Sequence, residues 1–346
     1  MAWFRPRPPA QSTGSAPADR LADPAIHAGL NPALNPATWA STQDLIALQR
    51  HAGQIGLQGS GPARAQRGGE HLSRFRGRGM DYQESRAYSP GDDVRSMDWR
   101  ITARTGEAHV KVYQEERERP VVFGLDFNPG MFFGSRGLLK SVVAARAAAL
   151  LAWAAVAHGD RVGALLSNGS HCELAPRGGK HGVLQLIRQL VDHSDPRRGI
   201  AEGPEIGGLS AALMRLRRVS RPGSLIVLVG DFYGLDAACD PHLQWLRRHN
   251  DVVALQVIDP LELAPPLPAR YGVLAGGQRC ILDLRGAATR RAYQAYFSQH
   301  HAQVAATLRR HAIGLLRLPT DADAVALLRQ HFGVSGRRLR ERTLAA

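Results

Sequence analysis

From residue 120 onward, short apolar runs alternate with longer stretches whose apolar positions recur every three or four residues. That alternation is the pattern of an α/β fold, a parallel sheet flanked by helices. Residues 121–127 read as a buried strand, and 225–229 are a continuous apolar run of the kind expected in a central parallel strand. Further strands are predicted at 161–167, 252–258 and 314–318, with a hairpin partner at 171–174 and a second hairpin across 271–284. Helices are predicted over 137–158, 180–191, 209–219, 236–248, 287–311 and 321–332. The first is almost entirely Ala, Leu and Val, broken by Lys140, Arg146 and Trp153, and is expected to lie deep against the sheet.

Before residue 120 the texture differs. Residues 1–63 are rich in Pro, Ala, Gly, Ser and Asn, and are expected to form a mostly flexible arm with one short helix at 41–51, capped by Ser41 or Thr42. Residues 64–119 form a charged, β-rich segment whose clearest strand is 109–113, where Val110 and Val112 alternate with polar neighbours. The main domain spans 120–334, and 335–346 is a basic tail carrying Arg337, Arg338, Arg340 and Arg342.

Within the charged segment, residues 86–104 read RAYSPGDDVRSMDWRITAR. Ser89-Pro90-Gly91-Asp92 is a turn: proline presets φ and glycine tolerates positive φ. Asp92, Asp93 and Asp98 alternate with Arg86, Arg95, Arg100 and Arg104, a spacing that allows bidentate carboxylate–guanidinium pairs. Two readings stand side by side: a structural network pinning the segment to the sheet with Trp99 buried in it, or a partner-binding patch.

Composition narrows the function classes. The chain has 346 residues, 44% of them hydrophobic, enough for a substantial core. Its formal charge is +14, but 64–119 holds twelve Lys/Arg against ten Asp/Glu, and elsewhere the excess is scattered as single arginines. Scattered charge is a poor nucleic-acid footprint. Lysine occurs only at positions 111, 140 and 180. Cys172, Cys239 and Cys280 are widely separated and lack metal spacing, which fits buried thiols in a reducing cytoplasm. No apolar leader opens the chain, and the apolar tract 147–157 is too short to span a bilayer, so membrane insertion is not expected.

Candidate chemistry gathers where the strands end. Asp126 closes the first strand in VVFGLDFNPG and Asp231 the central one in LIVLVGDFYG, with Ser210 at a helix start between them. In an open parallel sheet, ligands collect beyond these carboxyl ends, and carboxylates with hydroxyls suit a hard divalent cation such as Mg2+ or Mn2+. The plain alternative is that each Asp caps the next helix. An enzyme would need a nucleophile with a base in reach, but His158, His171, His181 and His193 are scattered, and no HExxH, GxSxG or phosphate-loop glycine pattern occurs. Gly77-Arg78-Gly79 lacks the third glycine and the preceding strand.

The arrangement resembles a von Willebrand factor A domain, a doubly wound, mostly parallel sheet. More narrowly, RGRGMDYQESRAYSPGDDVRSMDWRITAR, HVKVYQEERERPVVFGLDFNPGMFFGS, AHGDRVGALL and LVGDF resemble the bacterial family called domain of unknown function 58, over about residues 64–328. The resemblance implies a metal-ion-dependent adhesion site. Its first aspartate corresponds to Asp126, its distant threonine to Ser210 and its distant aspartate to Asp231. The motif's two serines fall on Asn128, which retains an amide oxygen, and on Gly130, which has no side chain. The implied site is therefore degenerate, with Ser135 as a nearby substitute. The resemblance further implies a non-catalytic interaction module, an adaptor or chaperone-like companion of a MoxR-type AAA+ ATPase. Metal-assisted hydrolysis at Asp126 and Asp231, and nucleic-acid binding through the basic charge, are the alternatives.

Overall fold

A computed structural model describes residues 38–57, 80–115, 119–168, 170–199, 208–275 and 278–333. The basic tail lies outside the described residues. Six strands form the main sheet: β3 (Pro120–Asp126), β4 (Arg161–Asn168), β5 (Ser170–Arg177), β6 (Leu225–Gly230), β7 (Asp251–Ile258) and β10 (Gly314–Pro319). Their spatial order is β10-β7-β6-β3-β4-β5, all parallel except β5, which runs antiparallel on β4. The expected doubly wound α/β architecture is present. The chain leaves β3 toward β4 on one side and returns to β6 on the other, so the crevice at the ends of β3 and β6 is the topological switch point.

Side chains alternate across the sheet. Val121, Phe123 and Leu125 enter one core, and Val122 between them enters the other. The first core is built with α3 (Lys140–Ala157), α4 (Gly179–His193) and α8 (Ala324–Phe332). The second is built with α5 (Gly208–Val219), α6 (Asp240–His249) and α7 (Ala287–Arg310). With both faces covered, a strand such as LIVLVG is apolar at every position. Gly124 admits α5 to close range: a Cβ there would sit 2.9 Å from Leu216 Cδ2.

Helix α3 is long and apolar enough to cross a membrane by length and composition, yet 83% of it is buried inside the protein. It is apolar all round because the sheet covers one side and other helices cover the rest. One of these corrects the expectation of an N-terminal arm. Residues 38–57 are part of the domain: α1 (Thr42–Ala47), capped by Ser41, runs into a 3-10 helix, Leu48–Gln54. Leu45 and Ile55 are fully buried in the first core. The Trp153 indole donates to the Leu45 carbonyl at 3.0 Å, and the His158 ring to the Ile55 carbonyl at 2.9 Å. Apolar residues at 45, 52, 55 and 57 complete the shell that α3 needs. The remainder of 1–63 lies outside the described residues.

The charged segment folds as an antiparallel pair, β1 (Met80–Ala87) with β2 (His109–Glu115), closed by the short helix α2 (Trp99–Thr105). A hairpin pair, β8 (Arg270–Ala275) and β9 (Gln278–Asp283), completes the described strands. Of the three cysteines, only Cys239 is buried; Cys172 and Cys280 are half-exposed.

Candidate functional site

At the switch point the chain turns sharply after β6. Phe232 has φ 61°, a left-handed conformation that costs energy for a non-glycine residue and is held by burial of its ring in the second core. The turn leaves Asp231 facing the β3 loop. There the Asn128 amide group bridges the two aspartates, its Nδ2 donating to Asp126 Oδ2 at 3.1 Å and to Asp231 Oδ1 at 2.9 Å. Its Oδ1 faces the other way and accepts from the Gly130 amide at 2.8 Å. Asp126, Asn128 and Asp231 are therefore brought together, but the donor end of the amide faces both carboxylates. The reverse orientation would press an oxygen against two anions.

A residue absent from the expected set completes the cluster. Lys140, at the first turn of α3, places its Nζ 3.2 Å from Asp231 Oδ2 and 2.7 Å from Glu262 Oε1. The three side chains are 3%, 1% and 5% exposed, so this is a buried ion triad. Burial opposes the ammonium charge, but Asp231 and Glu262 outweigh it and hold the Lys140 pKa above the ordinary lysine value. Burial raises the Glu262 carboxyl above its ordinary range despite Lys140 beside it. Glu262 Oε2 and His301 Nε2, 3.8 Å apart, are both buried without a hydrogen-bond partner. Burial also lowers the His301 pKa to about 4, leaving that imidazole neutral near pH 7.

Neighbouring groups fix the triad. Asp259, at the end of β7, caps the helical turn Pro260–Leu263 through the Leu261 amide and so positions Glu262. The same carboxylate accepts from the Ser135 hydroxyl and amide and from the Thr320 hydroxyl. Burial works against its charge, yet these four donors together hold it below the ordinary carboxylate range. Ser135 is thereby committed to Asp259 and does not stand in for a missing ligand. Tyr233 stacks on His300 with ring centroids 3.8 Å apart and covers the Lys140 ammonium at 5.7 Å. The Ser210 hydroxyl donates to the Ala238 carbonyl at 3.2 Å and makes no hydrogen bond to either aspartate.

These residues do not fit a divalent cation as arranged. Asp231 Oδ1 already accepts from Asn128 Nδ2 and the Tyr233 amide, and Oδ2 from Lys140. A Cβ at Gly130, where an adhesion site has serine, would lie 2.9 Å from Asp231 Oδ2 and 3.0 Å from Asn128 Oδ1. Lys140 carried two signals in the sequence: it is one of three lysines, and it opens a mostly apolar helix at the end where the dipole disfavours a cation. Glu262 followed an Asp-Pro cap, but nothing local pointed it at residue 140.

The other expected cluster is dispersed. Arg86 and Asp92 form a bidentate pair at 2.9 and 2.6 Å. Asp93 caps the 3-10 turn Val94–Ser96, accepting from the Arg95 amide. Asp98 caps α2 through the Arg100 and Ile101 amides and accepts from the Ser85 hydroxyl at 2.8 Å. All three carboxylates thus bond within the segment, and none of these bonds pins it to the sheet. Among the described residues, Arg95, Arg100 and Arg104 pair with no acid. Trp99 is 66% exposed, not buried: Asp98 points inward to cap the helix, and the next residue emerges on the outer side.

Uncharacterized proteins of Mycobacterium bovis and Mycobacterium tuberculosis are each 32% identical to this chain over 266 residues, 75% of this chain and 80% of the relative. Similar solved structures include an aerotolerance-related membrane protein from Bacteroides fragilis (15% identity, 62% of this chain and 96% of that one, TM-score 0.37). BatB from Bacteroides thetaiotaomicron (12%, 65% and 98%, TM-score 0.34) is another. A von Willebrand factor type A protein from Catenulispora acidiphila is a third (11%, 55% and 44%, TM-score 0.28). The fold rests on the strand order itself. The family model described as protein of unknown function DUF58 matches residues 84–303, well over half of the sequence, and the chain belongs to that family.

Proposed function

We propose that the protein is a non-catalytic interaction module acting in the cytoplasm, a companion of a MoxR-type AAA+ ATPase, and that it meets partners at the face above the β3 and β6 ends. The observation that carries this reading is the closed site. Its carboxylates are engaged by Asn128 and Lys140, while aromatic side chains, Phe133, Tyr233 and Tyr296, stand exposed around it. A hydrolytic site would present its acids to substrate and pair a nucleophile with a base. Here His300 bonds the Asp231 carbonyl, and burial pushes the Tyr233 phenol far above the range in which it could act as a base near neutral pH. Exposed tyrosines bury large area while keeping a polar end wet, which suits protein recognition.

The MoxR assignment draws on the family resemblance. It is tested with the purified ATPase immobilised and this protein as analyte. Saturable binding that weakens about tenfold or more in Tyr233→Ala or Tyr296→Ala supports it. No binding with either nucleotide state of the ATPase refutes the partner, and binding indifferent to both variants refutes the face.

A further inference from the structure

We propose that Lys140 is a resident cation: its ammonium places a fixed positive charge within the chain against Asp231, where a metal-dependent adhesion site relies on a divalent ion, and the site is complete without metal. Four independent placements converge on this. The ammonium lies between Asp231 and Glu262, with its remaining face under the Tyr233 ring. The Asn128 amide hydrogens occupy the space between Asp126 and Asp231. A Cβ at Gly130, where a metal shell would use serine, would lie 2.9 Å from Asp231 Oδ2 and force that carboxylate to shift. Ser210 and Ser135, the hydroxyls in reach by sequence, are committed to Ala238 and Asp259.

The ammonium is not a mobile counter-ion. Lys140 opens α3 between the half-buried Leu139 and the buried run Ser141–Ala145, and its amide is tied to the Phe133 carbonyl. Swinging Nζ into solvent would strip two buried carboxylates of their partner at once. A metal could reach Asp231 only by displacing that ammonium or the Asn128 amide, and either loses a charge-assisted hydrogen bond inside the protein. The consequence reaches function: a partner carboxylate has no open coordination position to complete, so chelators should leave this face unchanged.

The test is titration of the chelator-stripped full chain with Mn2+, followed by electron paramagnetic resonance of the free ion, beside Asp126→Ala and Lys140→Ser. Wild type is expected to leave the free-ion signal undiminished through the millimolar range, and its melting temperature should ignore both Mn2+ and EDTA. Saturable uptake by wild type that Asp126→Ala abolishes overturns the proposal. Lys140→Ser is expected to melt lower, bind Mn2+ about tenfold or more tighter than wild type and regain stability with it. A Lys140→Ser protein as stable as wild type without metal, or one destabilised yet indifferent to Mn2+, overturns the equivalence of ammonium and ion. If that variant does not fold, the wild-type titration decides alone.

Discussion

Replacing Lys140 by Met keeps the length and apolar bulk of the side chain and removes only the charge. Asp231 and Glu262, 1% and 5% exposed, then face each other with no cation. Breaking a buried pair by deleting one partner costs about 3–5 kcal/mol, because the remaining charge is stranded out of water. At about 2–4 °C per kcal/mol for a domain of this size, the melting temperature at pH 7 should fall by about 6–20 °C. The pH dependence identifies the cause. The folded Glu262 pKa already lies above its ordinary value, and Lys140 is among the influences lowering it, so the Met variant raises it further. A group whose folded pKa is raised contributes stability fully below its unfolded pKa of 4.5 and loses it as pH rises through the folded value. The deficit of Lys140→Met relative to wild type should therefore shrink as pH is lowered from 7 toward 5. Adding Asp231→Asn and Glu262→Gln should recover much of the loss at pH 7, since a neutral replacement strands no charge. Calorimetric melting across pH reads all three. A Met variant that melts with wild type at pH 7, or whose deficit grows in acid, refutes the triad as the source of stability.

Leu45→Ala should cost about 2–5 kcal/mol in urea unfolding, because Leu45 is fully buried against α3, while Ile46→Ala next to it, half out of the core, should stay within about 1 kcal/mol. Equal effects would detach residues 38–57 from the core. Asp98→Ala should unlock amide exchange in α2, because it removes the cap and the Ser85 contact together, whereas Arg95→Ala should change neither exchange nor melting. The hydroxyl of Ser85 and the α2 amides hold the Asp98 pKa below its ordinary value, so its contribution should be present above pH 3.8 and disappear as pH falls through the folded value. Gly130→Ser, the substitution that restores the adhesion-motif residue, should lower stability by about 1–3 kcal/mol and confer no Mn2+ binding, because its Cβ meets Asp231.

Periodicity carried the fold well because both faces of the sheet are covered: 121–125, 225–229 and 252–255 are apolar for the same physical reason that makes them central strands. Within the expected arm, the short helix was legible but the burial of residues 38–57 was not, because Pro, Gly and Asn around residues 31–62 mask four core positions, and only the bare flank of α3 shows what those positions serve. Trp99 was misplaced because composition ranks Trp as interior, whereas the Asp98 cap decides which way the first helical residue faces. Asp126 and Asp231 were legible from strand ends alone. The partner of Asp231 was not, since Lys140 meets Asp231 and Glu262 across 91 and 122 residues of chain, and only the parallel pairing of β6 and β7 beside α3 brings them together.

That long-range closure separates two kinds of recognition. A metal-centred face selects an acidic partner and fails in chelator. A face whose cation is covered by Tyr233 gains little from a partner carboxylate, because two of the three ammonium donors are already taken by Asp231 and Glu262 and those carboxylates accept from inside. On the proposed reading, what remains for a partner is the exposed aromatic surface of Phe133, Tyr233 and Tyr296. Contacts of that kind depend on buried area rather than charge and are little screened by ions. The proposed complex with the ATPase should therefore survive both EDTA and about 0.5 M salt, the latter shrinking the screening length to a few ångströms. Loss in EDTA alone would point to a metal, loss in salt alone to the scattered arginines. Only persistence in both, with loss in Tyr296→Ala, matches a recognition face built over a site whose cation is a buried lysine.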